Sequence, residues 1–159
     1  MKLKHKNIEI RLASTDNAEY LHKYRSESGE TVTLDEVRES LNENKKQHMI
    51  ELGGKIIGDI HYGDLENNTA EIGIFIRDEN ERGKGYGFLI TSIYIDALIN
   101  VLKYDKIRIA TSVDNKAMRH ISEAKFGLSP IIHEDESYAE YILEKENWRN
   151  IFDYDVLTV

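Results

Sequence analysis

The sequence predicts a mixed α/β or α+β chain built on one central, mostly antiparallel sheet flanked by helices, and three observations carry that expectation. Several short stretches alternate apolar with polar residues, as strands covered on one face do. Three of these, "QHMIEL", "KIIGDIHYGDL" and "TAEIGIFIRD", follow one another across the short turns "GGK" and "NN", which is hairpin spacing. After residue 85 the period changes to that of a helix, and helical and strand patterns then alternate.

Taken in order, "NIEIRLAS" sets Ile8, Ile10 and Leu12 against polar neighbours and reads as the first strand. "STDNAEYLHKYRSES" opens on cap-type residues and carries Tyr20, Leu21 and Tyr24 at helical spacing. "TLDEVRESLNENKK" puts Leu34, Val37 and Leu41 on one face of a second short helix. The three-strand meander follows, turning at Gly53–Gly54 and at Asn67–Asn68. Residues 86 to 103 confine their polar positions to Ser92, Asp96, Asn100 and Lys103, the pattern of a mostly buried helix lying across a sheet. "KIRIATSV" is a further strand, and "DNKAMRHISEAKFG" a helix capped by Asp114 or Asn115 and stopped by Gly127. "LSPIIHE" and "SYAEYILEKE" read as a last pair of strands, with Trp148 anchoring the C-terminal segment; the tail "NWRNIFDYDVLTV" shows no element pattern. No repeat or linker interrupts the chain, so residues 1–159 read as one domain.

Composition narrows the function. A chain of 159 residues buries roughly 70% of its unfolded surface and needs no metal or disulfide staple. It has no cysteine, which excludes disulfides and thiolate chemistry, and its six histidines show no metal-ligand spacing. His61 and His133 fall on expected strands, where packing or surface roles are the ordinary reading. No apolar run reaches the ~20 residues of a membrane span, and no apolar core follows the N-terminal lysines as in a secretory signal, so a cytoplasmic location is expected. The net charge of −8 argues against nucleic acid as a partner. It suits a cationic small substrate, or simply solubility.

The residues that carry chemistry lie in "ERGKGYG", between the third meander strand and the buried helix. Free N–H groups and the positive end of the helix dipole favour an anion there. Gly83, Gly85 and Gly87 let the backbone approach a ligand, and Arg82 and Lys84 add positive charge. A Walker loop would need Gly-Lys-Ser/Thr, and a dinucleotide fingerprint would need G-x-G-x-x-G within a parallel βαβ unit; neither fits.

The spacing that fits is Arg82-x-x-Gly85-x-Gly87. With "EIGIFI" before it and "DNKAMRHISEAKFGL" after it, the loop resembles the acyl-CoA loop of GNAT-type N-acetyltransferases, and "YILEKENW" is similar to the closing strand of members that acetylate ribosomal-protein N-termini or polyamines. The likeness runs from about Ile8 to Trp148. It implies acetyl-CoA as donor, no metal, and a primary amine as acceptor: a polyamine, another small cationic amine, or a protein N-terminus. Dimers are common among the proteins it resembles, which makes a homodimer an open expectation.

By the same resemblance, the amides of Arg82, Gly83, Lys84, Gly85, Tyr86 and Gly87 would seat the pyrophosphate. The backbone of Phe75, Ile76 and Arg77 would hold the pantetheine arm at a splay between strands, and Asn115 would contact the cofactor. Glu71, on the strand leading to the splay, is the expected general base. The family's usual tyrosine acid falls on Ser122, or on Glu123 when counted back from Gly127, because the segment is one residue longer than usual. Tyr138 is a substitute. The missing tyrosine leaves one alternative open, a catalytically silent acyl-CoA-binding module.

Overall fold

Two tight turns set the frame. Gly53 and Gly54, with φ of 58° and 83°, and Asn67 and Asn68, with φ of 58° and 51°, all lie in the left-handed region. Glycine and asparagine are the residues that tolerate it, and hairpins need it. These turns join β3 (Gln47–Leu52), β4 (Lys55–Leu65) and β5 (Thr69–Ile76) into the expected meander. The computed structural model describes residues 1–133 and 137–159.

Among the described residues the sheet has nine strands in the order β7-β8-β6-β5-β4-β3-β2-β1-β9, where β1 is Lys2–His5, β2 Ile8–Leu12, β6 Lys106–Ser112, β7 Ile131–Ile132, β8 Tyr138–Glu144 and β9 Asp155–Thr158. Every pairing is antiparallel except that of β5 with β6. Two strands correct the sequence reading. The stretch expected as the first strand is β2; β1 precedes it and turns back through Lys6, at φ 53°. The tail supplies β9, which pairs with β1 at the far edge. Each has four residues, too few to display a period.

Helices cover both faces. α1 (Ala18–Glu27) and α2 (Leu34–Glu43) bury Leu21, Val37 and Leu41 with Met49 of β3 in a small core. Thr33 and Glu36 form a capping box at the start of α2. On the other face α3 (Tyr86–Asn100) is apolar nearly all round and packs in the main core with Ile72, Ile107 and Ile109. α4 (Lys116–His120) runs on into one π-turn over Ile121–Lys125 and ends at Gly127, at φ 68°. Trp148 stacks edge-on against Phe126 at 5.4 Å and donates its indole N–H to Asp96 at 2.8 Å, which ties the C-terminal segment to α3.

His48 on β3 is fully buried, with the Tyr94 hydroxyl 3.0 Å from Nδ1 and no partner for Nε2 among the described residues. Burial pushes its pKa down to about 4 from 6.5. The folded state therefore binds fewer protons than the unfolded state between those values, so this stabilising contribution is complete above pH 6.5 and is lost as pH falls toward 4. The loss amounts to about 3 kcal/mol. Urea titrations at pH 7 and 4.5 check it: the acid-induced loss is expected to shrink by most of that amount in His48→Gln.

Candidate active site

β5 and β6 pair from Thr69 opposite Lys106 to Ile72 opposite Ile109, and then part. β6 stays with β8 as far as Ser112, and β5 stays with β4 as far as Ile76. One side of Gly73–Ile76 is thus left without a strand partner. Backbone alternation decides which groups face that opening. The Arg77 N–H bonds the Ile57 carbonyl at 2.8 Å, and the Phe75 carbonyl faces Gly58 so closely that a Cβ there would lie 2.1 Å from it. Phe75 and Arg77 therefore turn their backbone groups to β4, and Ile74 and Ile76 turn theirs to the opening. This corrects the expectation of free backbone at all three of Phe75, Ile76 and Arg77: only Ile76 has it, and Ile74, which the sequence reading passed over, joins it. The Ile76 carbonyl meanwhile accepts from Arg82 Nε at 2.8 Å. The period-two rule was the signal that could have found Ile74.

The glycine loop closes the opening at one end. Gly83 and Gly85 sit at φ 74° and 87°, where a side chain would strain the backbone. Gly85 is the N-cap of α3 and offers no side-chain cap; the first intrahelical bond runs from the Leu89 N–H to the Gly85 carbonyl at 3.2 Å. The N–H groups of Tyr86, Gly87 and Phe88 consequently lack intrahelical partners, at the positive end of a 15-residue helix. Besides the Arg82 bond to the Ile76 carbonyl, Arg82 and Lys84 meet Glu79 at 3.9 Å and Glu81 at 3.2 Å, ion pairs weak enough to exchange for a stronger anion.

The loop, Ile74–Arg77 and the start of α4 together wall a cleft of about 710 Å³. Arg82, Gly83, Gly85, Tyr86, Gly87 and Asn115 all border it; Lys84 does not. Asn115 accepts the Met118 N–H at 3.1 Å as the cap of α4, which leaves its side-chain NH₂ for a ligand.

The expected acid and base lie apart from this cleft. Ser122 is fully buried and its hydroxyl has no partner among the described residues. Glu123 accepts from Arg119 at 3.0 Å and from the Tyr141 hydroxyl at 2.8 Å, and the Arg119 contact first, with that of Tyr141, holds its carboxyl below the ordinary range. A carboxylate so held has no proton to give. Ser122 and Glu123 both lie in the π-turn Ile121–Lys125, where the widened helix shifts the facing of successive side chains. Tyr138 is exposed on β8 opposite Ser112 and borders neither this cleft nor the pocket described next. Glu71 is ion-paired with Arg108, whose other nitrogen bonds Glu140 at 3.1 Å, and it too borders neither cavity.

A smaller pocket of about 370 Å³ opens on the α1–α2 side and meets the cleft at Phe75 and Arg77. Arg77 forks onto Asp59 at 2.9 and 3.3 Å, and its guanidinium lies over the rings of Phe75 at 4.1 Å and Tyr24 at 4.8 Å. Asp59 is 2% exposed. Arg25 and Glu30 enter from the end of α1 and the segment after it, and His61 from β4. The sequence reading assigned neither Asp59 nor His61 to a site. The available signal was two polar residues on the helix-covered face of a strand, next to a glycine.

Among the described residues no helix is long and apolar enough to cross a membrane, and no three His, Asp or Glu side chains gather as metal ligands. The model of the acetyltransferase (GNAT) domain matches residues 8–129. No curated protein matches the sequence. Solved structures share the fold at low identity. A GNAT-family acetyltransferase from Bacillus anthracis is 21% identical with a TM-score of 0.71, over 92% of this chain and 99% of that one. RimL, a ribosomal L7/L12 α-N-protein acetyltransferase solved with coenzyme A, is 16% identical with a TM-score of 0.72, over 88% and 95%. The dodecameric spermidine N-acetyltransferase of Vibrio cholerae is 16% identical with a TM-score of 0.75, over 89% and 96%.

Proposed function

Because the chain belongs to the GNAT acetyltransferase family, and so is an N-acetyltransferase, we propose that acetyl-CoA lies in the larger cleft and the acceptor amine enters through the smaller pocket. The observation that carries this reading is that the two cavities meet at Phe75 and Arg77, beside the point where β5 and β6 part. The unpaired N–H groups of Tyr86, Gly87 and Phe88, the left-handed Gly83 and Gly85, and Arg82 seat the pyrophosphate. Ile74 and Ile76 bond the pantetheine amides as an added strand would, with the Arg82 contact to Ile76 given up, and Asn115 offers its amide from the opposite wall. When bound, acetyl-CoA supplies the activated acetyl thioester. Its thiol has an ordinary pKa near 8.5, so it leaves as thiolate without an acid, which is consistent with Ser122, Glu123 and Tyr138 standing off the cleft.

The pocket's charges bear on the acceptor. Arg25 and Arg77 balance Asp59 and Glu30, and Asp59 is already committed to Arg77. A polyamine needs surplus carboxylates, which this lining lacks. An amine that carries a nearby carbonyl or carboxylate suits Arg25, so a peptide N-terminus is favoured over a polyamine. The proposal is tested with acetyl-CoA, spermidine, a simple monoamine and a serine-initiated tetrapeptide, following free thiol. The tetrapeptide is expected to give the highest kcat/KM. A preference for spermidine would overturn the acceptor assignment. Thiol release from none of them, with CoA still raising Tm, would leave a CoA-binding module in place of a transferase for these amines.

A further inference from the structure

We propose that His61 is the general base of the transfer, taking the proton from the acceptor amine as its nitrogen bonds to the acetyl carbon; this rests on assigning the smaller pocket to the acceptor. His61 stands on β4 directly opposite Gly73 of β5, the first residue beyond the last β5–β6 pair. Its ring lies across that glycine: a Cβ on Gly73 would meet Cε1 at 2.5 Å and Nε2 at 2.9 Å. Glycine at this point of the strand therefore makes room for an imidazole at the splay. The Phe75 ring lies nearly parallel alongside, 6.3 Å away and tilted by 20°, and helps to hold the orientation.

The charged groups around the pocket are Asp59 on the same strand, Arg77 after β5, and Arg25 and Glu30 from the α1 side. Burial lowers the His61 pKa below its ordinary 6.5; Arg25 and Arg77 act in the same direction, and Asp59 and Glu30 oppose them. The ring is thus neutral at pH 7 and able to accept a proton. Glu71, two residues before Gly73 on the same face, is committed to Arg108 instead.

The acceptor reaches the pocket as a neutral amine, having given one proton to solvent. Its lone pair forms the N–C bond, the carbon–sulfur pair leaves on sulfur, and one N–H proton passes to His61 Nε2. The imidazolium then returns that proton to the thiolate, so amine plus thioester become amide plus thiol.

His61→Gln tests the assignment. CoA affinity by calorimetry is expected to stay unchanged, while kcat with the best amine of the panel falls about 100-fold or more and the acid limb of the kcat/KM profile disappears. A measurement independent of turnover accompanies it. In ¹³C-histidine spectra the ring signal absent from His61→Gln is expected to titrate below pH 6.5 and to shift when acetyl-CoA is added. Three results overturn the proposal: His61→Gln keeping most of its kcat, the acid limb surviving in His61→Gln but vanishing in Glu71→Gln, or the imidazole titrating at pH 7 or above. Absence of turnover with every amine would instead count against the transferase reading, and the titration still decides for or against His61 as a base.

Discussion

Gly85→Asp is expected to abolish measurable CoA binding. Gly85 lies at φ 87° and, as the N-cap of α3, directly precedes the row of free donors at the head of that helix. A side chain there costs about 1–2 kcal/mol of backbone strain. The carboxylate would also stand at the pyrophosphate seat proposed above, beside the three N–H groups with no intrahelical partner. Losing one or two charge-assisted hydrogen bonds of about 1.5–3 kcal/mol each weakens binding by a further factor of about 10 to 10⁴. Nothing within 4 Å of the glycine would be displaced by a Cβ, so the fold is expected to survive. Calorimetry with CoA, read beside a circular-dichroism melt, checks both halves. Unchanged affinity would mean that the loop is not the phosphate seat.

Asp59→Ala is expected to give the largest loss of stability. Asp59 is 2% exposed and takes both arms of the Arg77 guanidinium, itself sandwiched against Phe75 and Tyr24. Removing the carboxylate leaves a largely buried cation without its partner, a loss of about 3 kcal/mol. The double variant Asp59→Ala/Arg77→Met removes both charges and keeps apolar volume against the two rings. It is expected to recover most of the loss, because a missing pair is far less costly than a broken one. Urea denaturation of the two single variants and the double variant completes the cycle. A double variant no more stable than Asp59→Ala would show that the guanidinium had not been left stranded.

What was legible in the sequence was local. Gly53–Gly54 and Asn67–Asn68 announce their turns because only such residues sit easily at the φ values observed. The apolar run of α3 announces a buried helix because no polar face remains to meet water. β1 and β9 escaped because each has four residues, too few to display a period, and β9 takes its partner, β1, from the opposite end of the chain. The backbone of Phe75 and Arg77 faces β4 instead of the opening because strand alternation has a definite phase, and pairing with β4 sets it.

The same division runs through the site. The sequence by itself determined the left-handed glycine turn and the open helix N-terminus behind it, because glycine conformations and helix dipoles need only neighbours in the chain. Which side chains are free to act as acid or base depends chiefly on tertiary structure. Glu71 is engaged by Arg108, 37 residues away, the Arg119 contact to Glu123 within its own helical segment is joined by Tyr141, 18 residues away, and the His61 ring lies over Gly73 on another strand. Proton affinity depends on which charges and dipoles stand within a few ångströms, and folding assembles those from parts of the chain that share no local pattern.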